Sequence, residues 1–261
     1  MARHRRLSTL LELVARDGQI DVHRAADELA VSTATIRRDL DHLAQQQLVT
    51  RTRGGAVAHS VSYDLPLRYK AARRASEKER IGVAAAALVR AGDVVGFNGG
   101  TTTTEVARAL ASRADLRAEG AEPAVTVVTN ALNIAAELTV RSQVKIVVTG
   151  GVARAQSYEL IGPLARRVLE DLTIDTLFLG VEGIDTKGGA TASHEDEANV
   201  NRLMVERSRR VVVVADASKL GGRAFARICS IDEITTLVTD ADPADPGLVP
   251  FTGAGIEIVH G

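Results

Sequence analysis

The stretch Val94-Val95-Gly96-Phe97-Asn98-Gly99-Gly100-Thr101-Thr102-Thr103-Thr104-Glu105 changes character twice within a dozen residues. Its first four residues form an apolar run without polar alternation, the pattern of a strand covered on both faces. Asn98-Gly99-Gly100 is turn punctuation, and the glycines allow close approach of the backbone. The threonines then open a helical pattern that continues over Glu105–Ala111. Unpaired backbone N–H groups at such a strand-loop-helix junction make an anion site, and threonine hydroxyls add donors. The loop lacks the Gly-Lys-Ser/Thr of a Walker A loop and is not a Gly-x-Gly-x-x-Gly dinucleotide fingerprint. A threonine-capped turn with no ligand would satisfy the same string.

Toward the C-terminus the alternation repeats. Val125–Val128, Lys145–Val148, Thr176–Leu179, Val211–Val214 and Thr236–Thr239 are short β-rich runs. Between them lie the helical patterns Ala131–Leu138, Pro163–Leu169 and Glu197–Arg207. Strands alternating with helices predict a mainly parallel sheet of the α/β class. Polar and glycine residues gather where these strands end: Thr129-Asn130, Thr149-Gly150-Gly151, Leu179 to Gly183, and Ala215-Asp216-Ala217-Ser218-Lys219. Each alone is explained as a turn or cap. Their concentration at strand ends of one sheet points to a shared pocket. There Asn130 and Asp216 would bond the hydroxyls of a polyol, and Lys219 would supply a mobile positive charge.

Toward the N-terminus the period changes. Leu7, Leu10, Leu11 and Val14 share one helical face, which Asp17-Gly18 ends. Asp21 is placed to cap a second helix carrying Val22, Ala25, Ala26 and Leu29, and Ser32 a third carrying Ile36, Leu40 and Leu43. Two helices joined by a tight turn, the second presenting small polar and arginine side chains, match the helix-turn-helix plan. Its recognition helix must enter the major groove, so its outward residues must be small or able to donate hydrogen bonds. Thr33, Thr35, Arg37 and Arg38 meet that need. Val49, Arg51 and Arg53 followed by Gly54-Gly55 read as a hairpin wing, with both arginines positioned for phosphate or the minor groove. A three-helix structural domain with ordinary surface arginines is the competing reading.

Length and composition fit this organisation. The chain has 261 residues, enough for one large domain or two ordinary ones, and a net charge of −1. That balance hides +5 over residues 1–80 and −6 over the remainder, as expected of two modules with different partners. The lone cysteine, Cys229, excludes an intrachain disulfide and favours a reducing compartment. No run approaches the length of a membrane span, so a cytoplasmic protein without a membrane partner is expected. The expected domains are a winged helix-turn-helix over 1–59, a linker over 60–76, and an α/β effector-sensing and oligomerisation domain over 77–261. Pro66 and the charge-rich run from Arg68 to Arg80 fall in or beside that linker, the charges reading as a solvated face.

Val31-Ser32-Thr33-Ala34-Thr35-Ile36-Arg37-Arg38-Asp39-Leu40 and Arg53-Gly54-Gly55-Ala56 together closely resemble the signature of the DeoR family of bacterial regulators. The family's effector domain shares its fold with ribose-5-phosphate isomerase. Its motifs are matched here by Asn98-Gly99-Gly100-Thr101-Thr102, Thr129-Asn130, Gly150-Gly151, Phe178 to Gly183, Glu197-Ala198 to Met204, and Ala215-Asp216 to Lys219. Asn98 departs from the family's usual aspartate and Asn201 from its usual lysine; both changes retune a ligand.

By this resemblance Ser32, Thr35, Arg37 and Arg38, with Arg51 and Arg53 on the wing, contact double-stranded operator DNA. The resemblance also implies a repressor of carbohydrate-metabolism genes, controlled by a phosphorylated sugar or related metabolite. The loop from Gly100 through Thr101 and Thr102 to Thr103 would hold the phosphate, with Asn98 and Gly99 beside it in the effector-binding set. Asn130, Gly150, Gly151, Glu197, Asp216 and Lys219 would meet the rest of the effector. Few basic side chains per copy imply a homodimer or homotetramer reading repeated half-sites. No catalytic residue and no cofactor are expected. No metal is expected either, because the six histidines show no ligand spacing with Cys229. The alternative is a sugar-phosphate isomerase-like enzyme with a DNA-binding appendage, its base drawn from Glu195, Asp196, Glu197 or Asp216. A sheet domain that only oligomerises is the third reading.

Overall fold

The structure, a computed structural model, describes residues 3–46, 48–58, 67–70, 74–116 and 122–261. The chain divides into two units, Met1–Arg73 and Arg74–Gly261. Most of the segment expected as a linker, including Pro66, lies outside the described residues.

The first unit runs α1 (Arg3–Asp17), β1 (Gln19–Asp21), α2 (Val22–Glu28), α3 (Thr33–Gln45), β2 (Val49–Arg51), β3 (Gly55–Ala58) and α4 (Leu67–Lys70). Its core is the set that helical spacing selects: Leu7, Leu10, Leu11, Val14, Val22, Ala25, Ala26, Ile36, Leu40 and Leu43. Both expected caps are made. The Asp21 carboxylate accepts from the N–H groups of His23 and Arg24, and the Ser32 hydroxyl from that of Thr35. Strands β2 and β3 pair antiparallel as the wing, with Arg51 opposite Ala56. The sequence reading did not anticipate β1, which joins the outer side of β3. That pairing requires Gly55, because a Cβ there would sit 1.8 Å from the Ile20 carbonyl oxygen.

The second unit opens with α5 (Ala75–Ala86), β4 (Val94–Phe97), α6 (Thr101–Ser112), β5 (Val125–Thr129), α7 (Leu132–Leu138) and β6 (Val144–Val148). It continues through β7 (Val152–Ala153), β8 (Leu160–Ile161), α8 (Pro163–Leu169), β9 (Ile174–Gly180), β10 (Gly183–Asp185), β11 (Gly189–Ala192) and α9 (Glu195–Glu206). Last come β12 (Ser208–Val214), β13 (Ala226–Cys229), β14 (Thr236–Thr239), α10 (Val249–Gly253) and β15 (Glu257–His260). Seven strands form a parallel sheet in the order β15-β14-β12-β9-β4-β5-β6.

Both faces of this sheet are buried, which explains runs such as Val211–Val214. Val211 and Val213 pack into one cluster with α8, α9 and α10, while Val212 and Val214 pack into the other with α5, α6 and α7. Helix α5 begins inside the segment read as linker. Its Lys78 is 5% exposed, so the charge run is not wholly a solvated face; the helix packs against α6. No helix among the described residues is long and apolar enough to cross a membrane.

The order of strands locates the site. The chain passes outward from β4 through β5 to β6, then returns to place β9 on the other side of β4. Helix α6, which follows β4, and helix α9, which follows β9 through the β10–β11 hairpin, pack into different core clusters. The carboxyl ends of β4 and β9 are the switch point at which open α/β sheets place a ligand crevice. Phe97 and Phe178, paired across β4 and β9, are core residues that stack with ring centroids 5.4 Å apart.

Candidate functional site

Two groups of candidate residues are described separately, one in each unit. In the first, α3 presents Ala34, Arg37 and Arg38 to solvent while Ile36, Asp39 and Leu40 are buried. Ser32 and Thr35 share a hydrogen bond between their hydroxyls at 2.9 Å, and Thr33 is half-buried. The Arg38 guanidinium reaches back only to the Ala34 carbonyl, at 3.4 Å. Arg53 is exposed at the tip of the wing. Arg51 is held differently: its guanidinium donates to Asp41 at 2.7 Å and to the Gly55 carbonyl. Tying the wing to α3 is thus its role in this arrangement.

Asp39, which the sequence reading passed over as part of the DNA signature, faces inward. It is 3% exposed and pairs with Arg6 of α1 at 2.5 Å. The ion pair fixes the recognition helix against the first helix.

In the second unit the loop after β4 lies at the crevice. Asn98 is 2% exposed and bonds Gly180 at the end of β9 in both directions: its Nδ2 donates to the carbonyl at 3.0 Å, and its Oδ1 accepts from the N–H at 2.7 Å. An aspartate could make only the second bond, because an ionised carboxylate has no donor. Asn98 is therefore a clamp across the switch point.

The threonines divide in a similar way. Thr103 and Thr104 both donate their hydroxyls to the Gly100 carbonyl, at 3.0 and 2.6 Å. Helix α6 has no side-chain cap, so its first-turn N–H groups remain the donors that the loop offers an anion. Thr101 is half-buried there and Thr102 is buried.

Behind this loop runs a chain of buried polar groups. The Gly99 N–H donates to Glu159 Oε1 at 2.6 Å, and Asn201 Nδ2 donates to the same oxygen at 3.4 Å. Asn130 Nδ2 in turn donates to Asn201 Oδ1 at 3.3 Å. A Cβ on Gly99 would lie 2.3 Å from Glu159 Cγ, so glycine is what lets the two segments touch. Backbone pairing delivers Glu159: the Leu160 N–H donates to the Asn130 carbonyl and the Leu132 N–H to the Tyr158 carbonyl. Glu197 is nearby through Arg154, which it pairs with at 3.1 Å. Burial, then the charge of Glu197, pushes the Glu159 carboxyl up to about 8.

Asn98, Gly99, Gly100, Asn130 and Glu197 are thus connected around one crevice. Lys219 reaches it indirectly, through an ion pair at 3.0 Å with Glu182, which follows the Gly180 end of β9. Asp216 caps a short turn by accepting from the Ser218 N–H, and Arg74 lies 3.7 Å away. Gly150 and Gly151 serve the turn into β7, where a Cβ on Gly151 would strike the Ile161 carbonyl. Among the described residues, no hydrogen bond or ion pair is seen between Asp216 or the two glycines and the β4 loop. Cys229 is buried and its thiol pushed up to about 12, mainly by desolvation. Sequence reasoning missed Glu159 and Arg154. Glu159 stands alone in Ser157-Tyr158-Glu159-Leu160-Ile161, with nothing local to mark it.

Residues 6–61 match the family described as DeoR-like helix-turn-helix domain, and residues 73–241 match DeoR C terminal sensor domain. The HTH-type transcriptional regulator GlpR of Haloferax volcanii is 36% identical over 253 residues, spanning 97% of this chain and 95% of that protein. The Glycerol-3-phosphate regulon repressor of Escherichia coli K12 is 33% identical over 243 residues, spanning 93% of each. A solved structure of ribose 5-phosphate isomerase A from Methanocaldococcus jannaschii is similar over 54% of this chain and 52% of that one, at 17% identity and a TM-score of 0.40. With a helix-turn-helix unit and a sensor unit both matched, this chain belongs to the DeoR family of transcriptional regulators.

Proposed function

We propose that the chain is a repressor of carbohydrate-metabolism genes whose grip on operator DNA is set by a phosphorylated sugar or a related metabolite. The observation that carries the effector reading is the Asn98–Thr103 loop at the β4–β9 switch point. There the uncapped N-terminus of α6 meets buried polar groups suited to hydroxyls. The anion end binds at Gly100–Thr103, and Asn130 and Glu197 face the carbon chain. Names among the relatives support the class, since they include a glycerol-3-phosphate regulon repressor and a putative aga operon repressor of Escherichia coli O157:H7.

Operator contact falls to Ser32, Thr33, Thr35, Arg37, Arg38 and Arg53 in this proposal, with Arg51 joining if it leaves Asp41. The winged helix-turn-helix runs over 1–59 and the effector unit begins at Arg74, ahead of the expected 77 because α5 belongs to it. The working form is a cytoplasmic homodimer or homotetramer. The chain acts as a sensor and not as an isomerase. A thermal-shift screen over phosphorylated sugars tests this reading. It expects stabilisation by at least one compound with no turnover of it, since a ligand that binds only the folded state raises the midpoint. Product formation would make the chain an enzyme. Absence of any shift across the panel would leave the sheet domain as an oligomerisation device.

A further inference from the structure

Glu159 is 2% exposed, and its two oxygens are used unequally. Oε1 accepts both available hydrogen bonds, from the Gly99 N–H and from Asn201 Nδ2. Among the described residues Oε2 has no hydrogen-bond partner, and neither does Asn130 Oδ1 in the same network. The charged groups facing the carboxyl are Glu197 on α9 and Arg154 between β7 and β8, and these pair with each other. The β4 loop, β5 and Asn201 offer only neutral groups. Burial therefore dominates and pushes the group up to about 8, so at neutral pH it is mainly the acid. Because Oε1 is occupied as an acceptor, the proton belongs on Oε2. That leaves a buried O–H donor without an acceptor, a costly state unless something arrives to accept from it.

We propose that Glu159 is an anion-binding residue of this chain: as the neutral acid it donates its Oε2–H to an oxygen of a phosphate held at Gly100–Thr103, and as the carboxylate it repels that phosphate. The inference rests on the effector reading above and deepens it. A carboxylate so close to an anion loop opposes binding; its proton turns the same group into a donor. The linkage has a definite sign. A bound dianion raises the proton affinity of Glu159 further, so binding takes up a proton and weakens as pH rises through about 8.

Inorganic sulfate is the clean probe, because it stays doubly charged across this range and only accepts hydrogen bonds. Calorimetric titration of the full chain at constant ionic strength should show affinity falling about tenfold between about pH 7 and pH 9. In E159Q the amide keeps a donor that cannot ionise, so its affinity should change less than about twofold over that interval. A flat wild-type profile, or an equal decline in E159Q, overturns the proposal while leaving the anion loop standing. Failure of sulfate to bind either protein at pH 7 removes the anion loop itself and this inference with it. A measurement without any variant uses the carboxyl-carbon resonance of Glu159. Its midpoint should move upward when sulfate is added, and an unmoved midpoint also overturns the proposal.

Discussion

Single residues of α3 do two opposed jobs, and burial separates them. Arg37 and Arg38 are exposed, whereas Asp39 beside them is enclosed and paired with Arg6. Asp39 thus joins Ile36 and Leu40 on the buried side of the helix, opposite the arginines. Arg38 has only a long bond to the Ala34 carbonyl to give up, so its guanidinium is available to a base edge. Arg38→Ala should weaken operator binding by about 1–3 kcal/mol and relax the preference at one base position. Measured on operator variants, an equal loss at every sequence would reassign Arg38 to phosphate, and no loss would take it off the interface. Arg51 is the contrast, since recruiting it to DNA first means breaking its bond to Asp41.

At the scale of elements, the Arg6–Asp39 pair joins α1 to α3 inside the core that Leu10, Ile36 and Leu40 build. Removing one partner of a buried ion pair costs about 3–5 kcal/mol, mainly because the other charge stays enclosed. Asp39→Ala should lower the unfolding midpoint of the first unit and, through the loosened helix, its operator affinity, though Asp39 itself touches no DNA. An unchanged midpoint would make the pair ornamental. Much of this architecture was legible beforehand. Caps at Asp21 and Ser32, and β-branched runs such as Val211–Val214, declare themselves through local chemistry and period. Helix α5 did not, because its buried face is Ile81, Gly82, Ala85 and Ala86, and alanine and glycine give little hydrophobic contrast. Strand β1 is three residues long and exists through its pairing with β3. Glu159 was invisible for a related reason: only the pairing of residues 158–160 with 130–132 carries it to the β4 loop. The candidate site was thus readable where one loop makes it, and unreadable where two distant segments meet.

For the whole molecule the question is how a small ligand in one unit alters DNA affinity in the other. Arg37, Arg38 and Arg53 are few cations for a duplex, and binding through phosphate neutralisation weakens steeply with salt. A single copy should then bind poorly at physiological ionic strength, which is why paired half-sites are part of the proposal. Ligand control adds a thermodynamic constraint independent of mechanism. If saturating effector changes operator affinity by some factor, saturating operator must change effector affinity by the same factor. A tenfold effect corresponds to about 1.4 kcal/mol of coupling, within reach of one charge-assisted hydrogen bond made in only one state. The check is a pair of titrations on the full chain: operator with and without a stabilising sugar phosphate, and that compound with and without an operator fragment. Equal factors are expected, in whichever direction the ligand acts. Two factors that differ beyond error would mean the compound is not acting through a shared equilibrium, and that its effect on DNA binding arises from competition for the DNA surface or from a change in assembly.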